Sequence, residues 1–138
     1  MSRISFKVEV APVAKGRPKF TKRGFAYTPN KTRTFESVVE MSARHAMKGK
    51  KLLSGALILT LAFYLPIPKS WSKAKQEQAV NGEVKPTVRP DLDNYVKAIM
   101  DSMNRAVYAD DCQITDFGPT KKRYSRQPHI EITVEELQ

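Results

Sequence analysis

The sequence has few of the residues that disulfides, zinc sites and histidine-based catalysis require. Its 138 residues include one cysteine, Cys112, and two histidines, His45 and His129. A single cysteine excludes an intramolecular disulfide and a cysteine-rich zinc site, and no catalytic motif surrounds either histidine. No apolar run approaches the roughly 20 residues of a membrane-spanning helix, and the N-terminus has no signal-peptide core. We therefore expect a cytoplasmic protein with no membrane partner.

Acidic residues are also scarce relative to basic ones. The chain has 24 Lys and Arg against 14 Asp and Glu, which gives a net charge of +10. An excess of this size favours a polyanionic partner, and nucleic acid is the leading candidate. The alternative is a basic protein that has no such partner. The length fits one domain spanning residues 1–138.

Apolar patterning predicts an α+β fold, a single compact domain with a small mixed sheet of about four strands packed by two or three helices. Apolar and polar residues alternate from Ile4 to Val10, as in a half-buried strand. Leu92, Val96 and Ile99 recur at helical spacing, and Thr34 is a plausible N-cap for an earlier helix. The predicted strands are 4–10, 56–64, 113–117 and 129–134, and the predicted helices are 34–48, 71–80 and 92–107.

The segment 11–33 lacks sustained periodicity and predicts a long loop or hairpin. Its part from 15 to 33, called the basic segment below, has seven basic residues and no acidic one. Aromatic residues are interleaved with them, and cations and aromatics together suit phosphates and unpaired bases. We expect DNA contacts here, although a solvated basic loop is the alternative. The basic residues are Lys15, Arg17, Lys19, Lys22, Arg23, Lys31 and Arg33.

All six aspartates lie between positions 91 and 116, which is unusual in a basic chain. Hard cations such as Mg²⁺ take carboxylate oxygens as ligands. Asp91 and Asp93 open the predicted third helix, and the Asp110-Asp111 pair follows it, so a helix-turn-strand unit could bring the two pairs together. Each also has an ordinary structural interpretation: a helix cap, a surface pair of Asp93 with Lys97, or a polar turn.

Residues 90–94, Pro-Asp-Leu-Asp-Asn, are followed by Lys97, by Asp101 and by the pair Asp110-Asp111. This order resembles the RusA family of Holliday-junction endonucleases. Residues 15–20, Lys-Gly-Arg-Pro-Lys-Phe, are also similar to the N-terminal basic segment of that family. The stretch between Asp101 and the aspartate pair is about one residue shorter than in familiar members. That difference leaves Asp110 and Asp111 open as the last ligand, and we favour Asp111.

The resemblance implies a homodimer that makes paired, symmetric nicks across a four-way DNA junction during recombination and repair. It implies dependence on Mg²⁺, with Mn²⁺ possible, bound by Asp91, Asp93 and Asp111. It also implies that these three aspartates and Lys97 are the catalytic residues.

Two other functions are compatible with parts of the sequence. A non-catalytic nucleic-acid-binding module accounts for the basic segment, but not for clustered aspartates that repel phosphate unless a cation intervenes. A metal-dependent nuclease acting on flaps or single strands shares the same metal residues. Cleavage assays on different DNA structures separate these alternatives.

Overall fold

The computed structural model of the chain describes residues 2–15, 19–20, 24, 26–27 and 30–137. A 3-10 turn, Asp111–Gln113, follows the third helix. The regular elements of the described residues are, in chain order, β1 (Arg3–Val8), β2 (Lys19–Phe20), β3 (Ala26–Tyr27), α1 (Asn30–Met47), β4 (Leu57–Pro66), α2 (Lys73–Val80), α3 (Leu92–Met103), β5 (Ile114–Phe117), β6 (Lys121–Ser125) and β7 (His129–Glu136).

The main sheet is mixed, as expected, and has five strands in the described part of the chain. β7 pairs antiparallel with both β1 and β4. β5 and β6 pair parallel with successive parts of β4. Gly118 lies between them, where a Cβ atom would stand 2.1 Å from the hydroxyl oxygen of Thr60. Only glycine allows the chain to pass so close to β4, and the amide of Gly118 donates to the carbonyl of Leu59 there.

One face of this sheet carries the core. In β4, the residues Leu57, Leu59, Leu61 and Phe63 alternate with less buried neighbours and are fully buried. The ring of Phe63 stacks on Tyr95 of α3 with 5.3 Å between centroids, and α1 packs against both α3 and β1. The α+β prediction is therefore confirmed. The helices in the described ranges include none with the length and apolar character needed to span a bilayer.

α1 begins four residues before the predicted cap at Thr34, so that prediction is wrong. Thr32 is buried and continues the stripe formed by Phe35, Val39 and Ala43 by one turn towards the N-terminus. The polar sequence of this first turn concealed the helix start. Burial of Thr32 against the core outweighs the local preference of Thr34 for a cap position.

α3 ends at Met103, four residues before the predicted end at Val107. Asn104 leaves the helical conformation, and Arg105 has a left-handed φ of 64°. The carbonyl of Val107 instead accepts a hydrogen bond from the amide of Leu53. Val107 is fully buried, so its apolar character reflects packing in a turn rather than in the helix.

One strand of the main sheet was not predicted, whereas a predicted hairpin is present. β6 lies outside the four predicted strands, because its sequence, Lys121–Ser125, lacks an apolar alternation. The segment predicted as a loop or hairpin contains a short antiparallel hairpin, in which Lys19 pairs with Tyr27 and Phe20 with Ala26.

Candidate active site

The start of α3 presents two carboxylates to solvent. Asp91 occupies the N-cap position, where its carbonyl accepts from the amides of Asn94 at 3.1 Å and Tyr95 at 3.4 Å. Its carboxylate makes no capping hydrogen bond. Asp93 lies in the first turn and is exposed. The partial positive charge of a helix N-terminus stabilises both anions, and the carboxylate of Asp91 is available to a ligand because it does not serve as a cap.

A cleft of about 800 Å³ opens beside these two aspartates. Lys15 and Arg89 also line it, so carboxylates and cations face the same space. Carboxylate oxygens suit a hard divalent cation, and ammonium and guanidinium groups suit phosphate. A cleft that offers both is chemically matched to a phosphodiester accompanied by a metal ion.

Lys97 lies one helical turn after Asp93, yet its ion pair is with another residue. Its Nζ is 3.8 Å from a carboxylate oxygen of Asp101, and its side chain is 63% exposed. The surface pair of Lys97 with Asp93, considered from spacing alone, does not form in this structure. A long ion pair at this exposure is weak. The ammonium therefore remains accessible from solvent.

Lys15 ties three parts of the molecule together. Its Nζ lies 2.9 Å from Glu36 of α1 and 3.4 Å from Asp101 of α3, and its amide donates to the carbonyl of Asn94 at 3.0 Å. Partial burial lowers the pKa of Lys15, but the hydrogen bond and charge of Glu36 and the charge of Asp101 outweigh it and leave the pKa raised. The charge of Lys15 is thus largely engaged within the protein.

The other described basic residues of the basic segment do not lie in a single loop but in a strand and a helix. Lys31 and Arg33 are exposed in the first turn of α1. Lys19 lies in β2, where the backbone alone is described. The predicted contacts of Arg17, Lys22 and Arg23 fall outside the described residues.

The neighbouring aspartates after α3 have different surroundings. The carboxylate of Asp110 caps the 3-10 turn by accepting from the amide of Cys112 at 3.1 Å, and the side chain of Gln113 completes the capping box. Hydrogen bonds from the thiol and then the amide of Cys112 hold the pKa of Asp110 below its usual value. Among the described residues, the carboxylate of Asp111 has no hydrogen-bond partner. This difference favours Asp111 as the carboxylate available to a ligand.

Buried contacts fix the turn that carries this pair. The hydroxyl of Tyr108 donates to the carbonyl of Met100 at 2.8 Å, and Tyr108 is fully buried. The side-chain amide of Gln113 donates to the carbonyls of Leu53 and Gly55, both at 3.2 Å. Burial, followed by the charges of nearby carboxylates with Asp111 the foremost, raises the pKa of Tyr108. The turn is therefore attached to α3 on one side and to the chain before β4 on the other.

The structure brings Asp91 and Asp93 to one cleft but does not gather three candidate ligands. Within the described ranges, no group of three or more Asp, Glu, His or Cys side chains is arranged to hold a metal ion. Two carboxylates nevertheless fit Mg²⁺, which takes one or two of them together with waters and substrate phosphates. The donor set of the cleft therefore suits this cation.

Sequence reasoning missed the residues that organise the site. Asp101, which binds both Lys15 and Lys97, was recognised as part of the motif but given no role. Its spacing from Lys97 marks a pair on one helix face. The sequence Asp110-x-x-Gln113 also carries the pattern of a capping box. The partnership of Lys15 with Glu36 has no local signal, because the residues are far apart in the chain.

Two comparisons place this sequence in a known family. The family model described as "Endodeoxyribonuclease RusA" matches residues 9–135. The chain is also 35% identical over 142 aligned positions to "Uncharacterized protein YqaN" of Bacillus subtilis (strain 168), covering 99% of each chain. The family match includes every residue that lines the cleft, from Ala14 to Asn94. The chain belongs to the RusA family of endodeoxyribonucleases.

Proposed function

We propose that the protein is a divalent-metal-dependent endonuclease that resolves four-way DNA junctions by paired, symmetric phosphodiester hydrolysis. The cleft at the start of α3 carries this proposal, because it combines the carboxylates of Asp91 and Asp93 with the guanidinium of Arg89. Membership of the RusA endodeoxyribonuclease family supports the nuclease activity. Asp111, whose carboxylate has no hydrogen-bond partner in the part of the chain that the structure describes, supplies the remaining acidic group of the motif.

Asp91, Asp93 and Asp111 are the residues that we propose hold Mg²⁺, with Mn²⁺ as the alternative ion. Such an ion supplies Lewis-acid activation of water and stabilises negative charge on the phosphate. Mutual repulsion between carboxylates opposes their close approach, and a bound cation removes that repulsion. Asp110 is already used as a cap, so we assign the third position to Asp111.

Lys97 is the residue that we propose stabilises charge on the scissile phosphate. It follows Asp93 by one turn of α3 and is exposed, and its ion pair among the described residues is a long one of 3.8 Å with Asp101. That pair keeps the ammonium on the acidic face of the helix without burying it. A preorganised cation that faces the developing charge lowers the barrier to hydrolysis.

We propose that the basic segment contacts the phosphates of the junction arms. Lys31 and Arg33 support this assignment, since both are exposed in the first turn of α1, where the helix dipole also favours anions. Lys15 is assigned a structural part instead, because Glu36 and Asp101 bind its ammonium.

We further propose that the protein works as a homodimer. A four-way junction with approximate two-fold symmetry presents two equivalent phosphates, and a two-fold symmetric dimer presents two equivalent sites. Sedimentation at micromolar concentration measures this directly. A monomer that makes paired nicks at matched rates would contradict the proposed assembly.

The test of the function compares three DNA substrates of matched sequence: a four-way junction, a flap and a linear duplex. Each is incubated with and without Mg²⁺. We expect paired nicks at symmetric positions in the junction, dependent on the metal, and little cleavage of the duplex. Preferred cleavage of the flap would assign the same site to a flap nuclease, and binding without cleavage of any substrate would indicate a non-catalytic module.

A further inference from the structure

The segment that delivers Asp91 to the cleft has little support from the core. Pro86 is buried, but Val88 is 58% exposed and Arg89 is exposed as well. Exposed backbone of this kind is ordinarily mobile unless hydrogen bonds hold it. The carbonyls of Val88 and Pro90 both accept from the Nζ of Lys122, at 2.8 Å and 3.0 Å. Asp91 is the next residue in the chain.

The position of Lys122 follows from the sheet. β6 pairs parallel with β4, and Lys122 stands beside Phe63 in register. Side chains of paired residues point to the same face of a sheet, and Phe63 stacks on Tyr95 of α3 on the helix-covered face. The lysine therefore extends from that face towards the start of α3. Its neighbour Lys121 points to the opposite face and is exposed.

The two hydrogen bonds use a charge that a DNA-binding protein could otherwise direct at phosphate. Hydrogen bonds donated by an ammonium group are stronger than neutral ones. Two of them to alternate carbonyls, Val88 and Pro90, restrict the backbone immediately before Asp91. In an active site, a misplacement of a reacting or ligand group by about 1 Å lowers the reaction rate on the order of a hundredfold.

We propose that Lys122 is a positioning residue for Asp91: by holding the carbonyls of Val88 and Pro90, it fixes the direction of the Asp91 carboxylate into the cleft. The effect on cleavage rests on the proposed function, because it presupposes that Asp91 acts there. The effect on the backbone does not depend on that function and can be measured separately.

Three variants test this inference. Lys122→Met keeps the aliphatic length and removes the donors, while Lys122→Arg keeps charge and donors. Lys121→Met is the matched control, since it removes the same charge from the adjacent residue on the other face. Three quantities are measured for each variant. They are the NMR order parameters of the amides of Thr87, Val88, Arg89 and Asp91 without DNA or metal, junction binding without metal, and single-turnover cleavage with Mg²⁺.

We expect Lys122→Met to lower the order parameters of these amides from the rigid range of about 0.85 to below about 0.6 and to cleave on the order of a hundredfold more slowly. Lys121→Met should resemble the wild type in both measurements, and Lys122→Arg should recover much of the cleavage. Junction binding should be equal for the two methionine variants.

Unchanged order parameters in Lys122→Met overturn the inference, whatever happens to cleavage. Weaker junction binding by Lys122→Met than by Lys121→Met, with a shallower salt slope, also overturns it and makes Lys122 a phosphate contact. Failure of the wild type to cut any junction defeats the proposed function instead, while the order parameters still decide whether Lys122 holds the segment.

Discussion

Asp110 and Asp111 show how far two adjacent and chemically identical residues can differ. Asp110 accepts hydrogen bonds from Cys112, and these lower its pKa. Asp111 stands beside it without such a partner among the described residues, close enough for its charge to raise the pKa of Tyr108. The first aspartate stabilises the turn, and the second is available for chemistry.

Substitution by asparagine separates these tasks. Asn is as good an N-cap as Asp, so Asp110→Asn should keep the turn and cleave a junction within a few-fold of the wild type. Asp111→Asn and Asp91→Asn remove charge that a cation needs, and each should lower single-turnover cleavage on the order of a hundredfold or more. Binding to the junction should survive in all three.

The informative comparison is between the two neighbours. Loss of cleavage in Asp110→Asn with normal cleavage in Asp111→Asn would reassign the third ligand to Asp110. Full magnesium-dependent cleavage by Asp91→Asn would remove Asp91 from the metal site. Asp116→Asn is a suitable control, because Asp116 is exposed and accepts from Thr115.

For Lys97, the size of the effect distinguishes catalysis from a surface ion pair. If Lys97 acts only through Asp101, Lys97→Ala should cost about 0.2–0.5 kcal/mol in the free energy of unfolding and little activity. If it stabilises charge on the phosphate, cleavage of a pre-bound junction should slow on the order of a hundredfold. We expect the second result, with binding only modestly weakened. Cleavage within about threefold of the wild-type rate, a change of roughly 0.7 kcal/mol in the barrier, would show that Lys97 acts only as a surface ion-pair partner of Asp101.

At the scale of the elements, the sequence predicts those in which burial follows a simple period. β1, β4 and β7 alternate, and the apolar stripe of α1 recurs every three or four residues. β6 lacks this signal because Lys122 lies under the segment before Asp91 while Tyr124 packs against Trp71. These contacts are made by segments that are distant in the chain, so they leave no local pattern in the sequence of β6.

The same distinction applies to the site. Asp91 and Asp93 were predictable because they are close in sequence and open one helix, and the structure places both in the cleft. Lys15 was predicted to contact DNA, and its engagement with Glu36 and Asp101 depends on how α1 and α3 pack. The sequence alone does not distinguish a lysine that faces solvent from one that forms ion pairs with carboxylates of two helices.

The turn after α3 should owe measurable stability to Tyr108. Its hydroxyl satisfies the carbonyl of Met100, one of those left without a partner at a helix C-terminus. Tyr108→Phe should lower the free energy of unfolding by about 0.5–1.5 kcal/mol at pH 7, measured by urea denaturation. Cleavage should fall as well, because the turn carries Asp111.

The pH dependence of stability provides a second measurement on the same variant. The pKa of Tyr108 is raised in the folded protein, so its contribution is complete below the unfolded pKa of about 10 and is lost as the pH rises above it. In this range the unfolded chain releases the proton and the folded chain retains it. Tyr108→Phe should make the decline shallower by up to about 1.4 kcal/mol per pH unit. An unchanged slope would show that Tyr108 ionises as easily in the folded state.

At the scale of the whole molecule, net charge alone does not tell which cations meet DNA. The charge of +10 includes Lys15, which pairs with two carboxylates, and Lys122, which binds two carbonyls. Lys31 and Arg33 are exposed at the start of α1. The basic character of the chain therefore divides into charges that hold the site together and charges that are available to a polyanion.

The salt dependence of junction binding measures this division. Each phosphate contact contributes about 0.9 to the slope of log K against log salt concentration, because it releases condensed counterions. The double variant Lys31→Ala/Arg33→Ala should make the slope shallower by up to about 1.8, the sum of two such contacts. Lys15→Met should leave the slope almost unchanged and instead lower the free energy of unfolding, because Glu36 and Asp101 lose their shared cation. The opposite result, a shallower slope for Lys15→Met but not for the double variant, would contradict this division. It would mean that DNA phosphate replaces Glu36 and Asp101 as the partner of Lys15, and that the first turn of α1 does not contact the DNA.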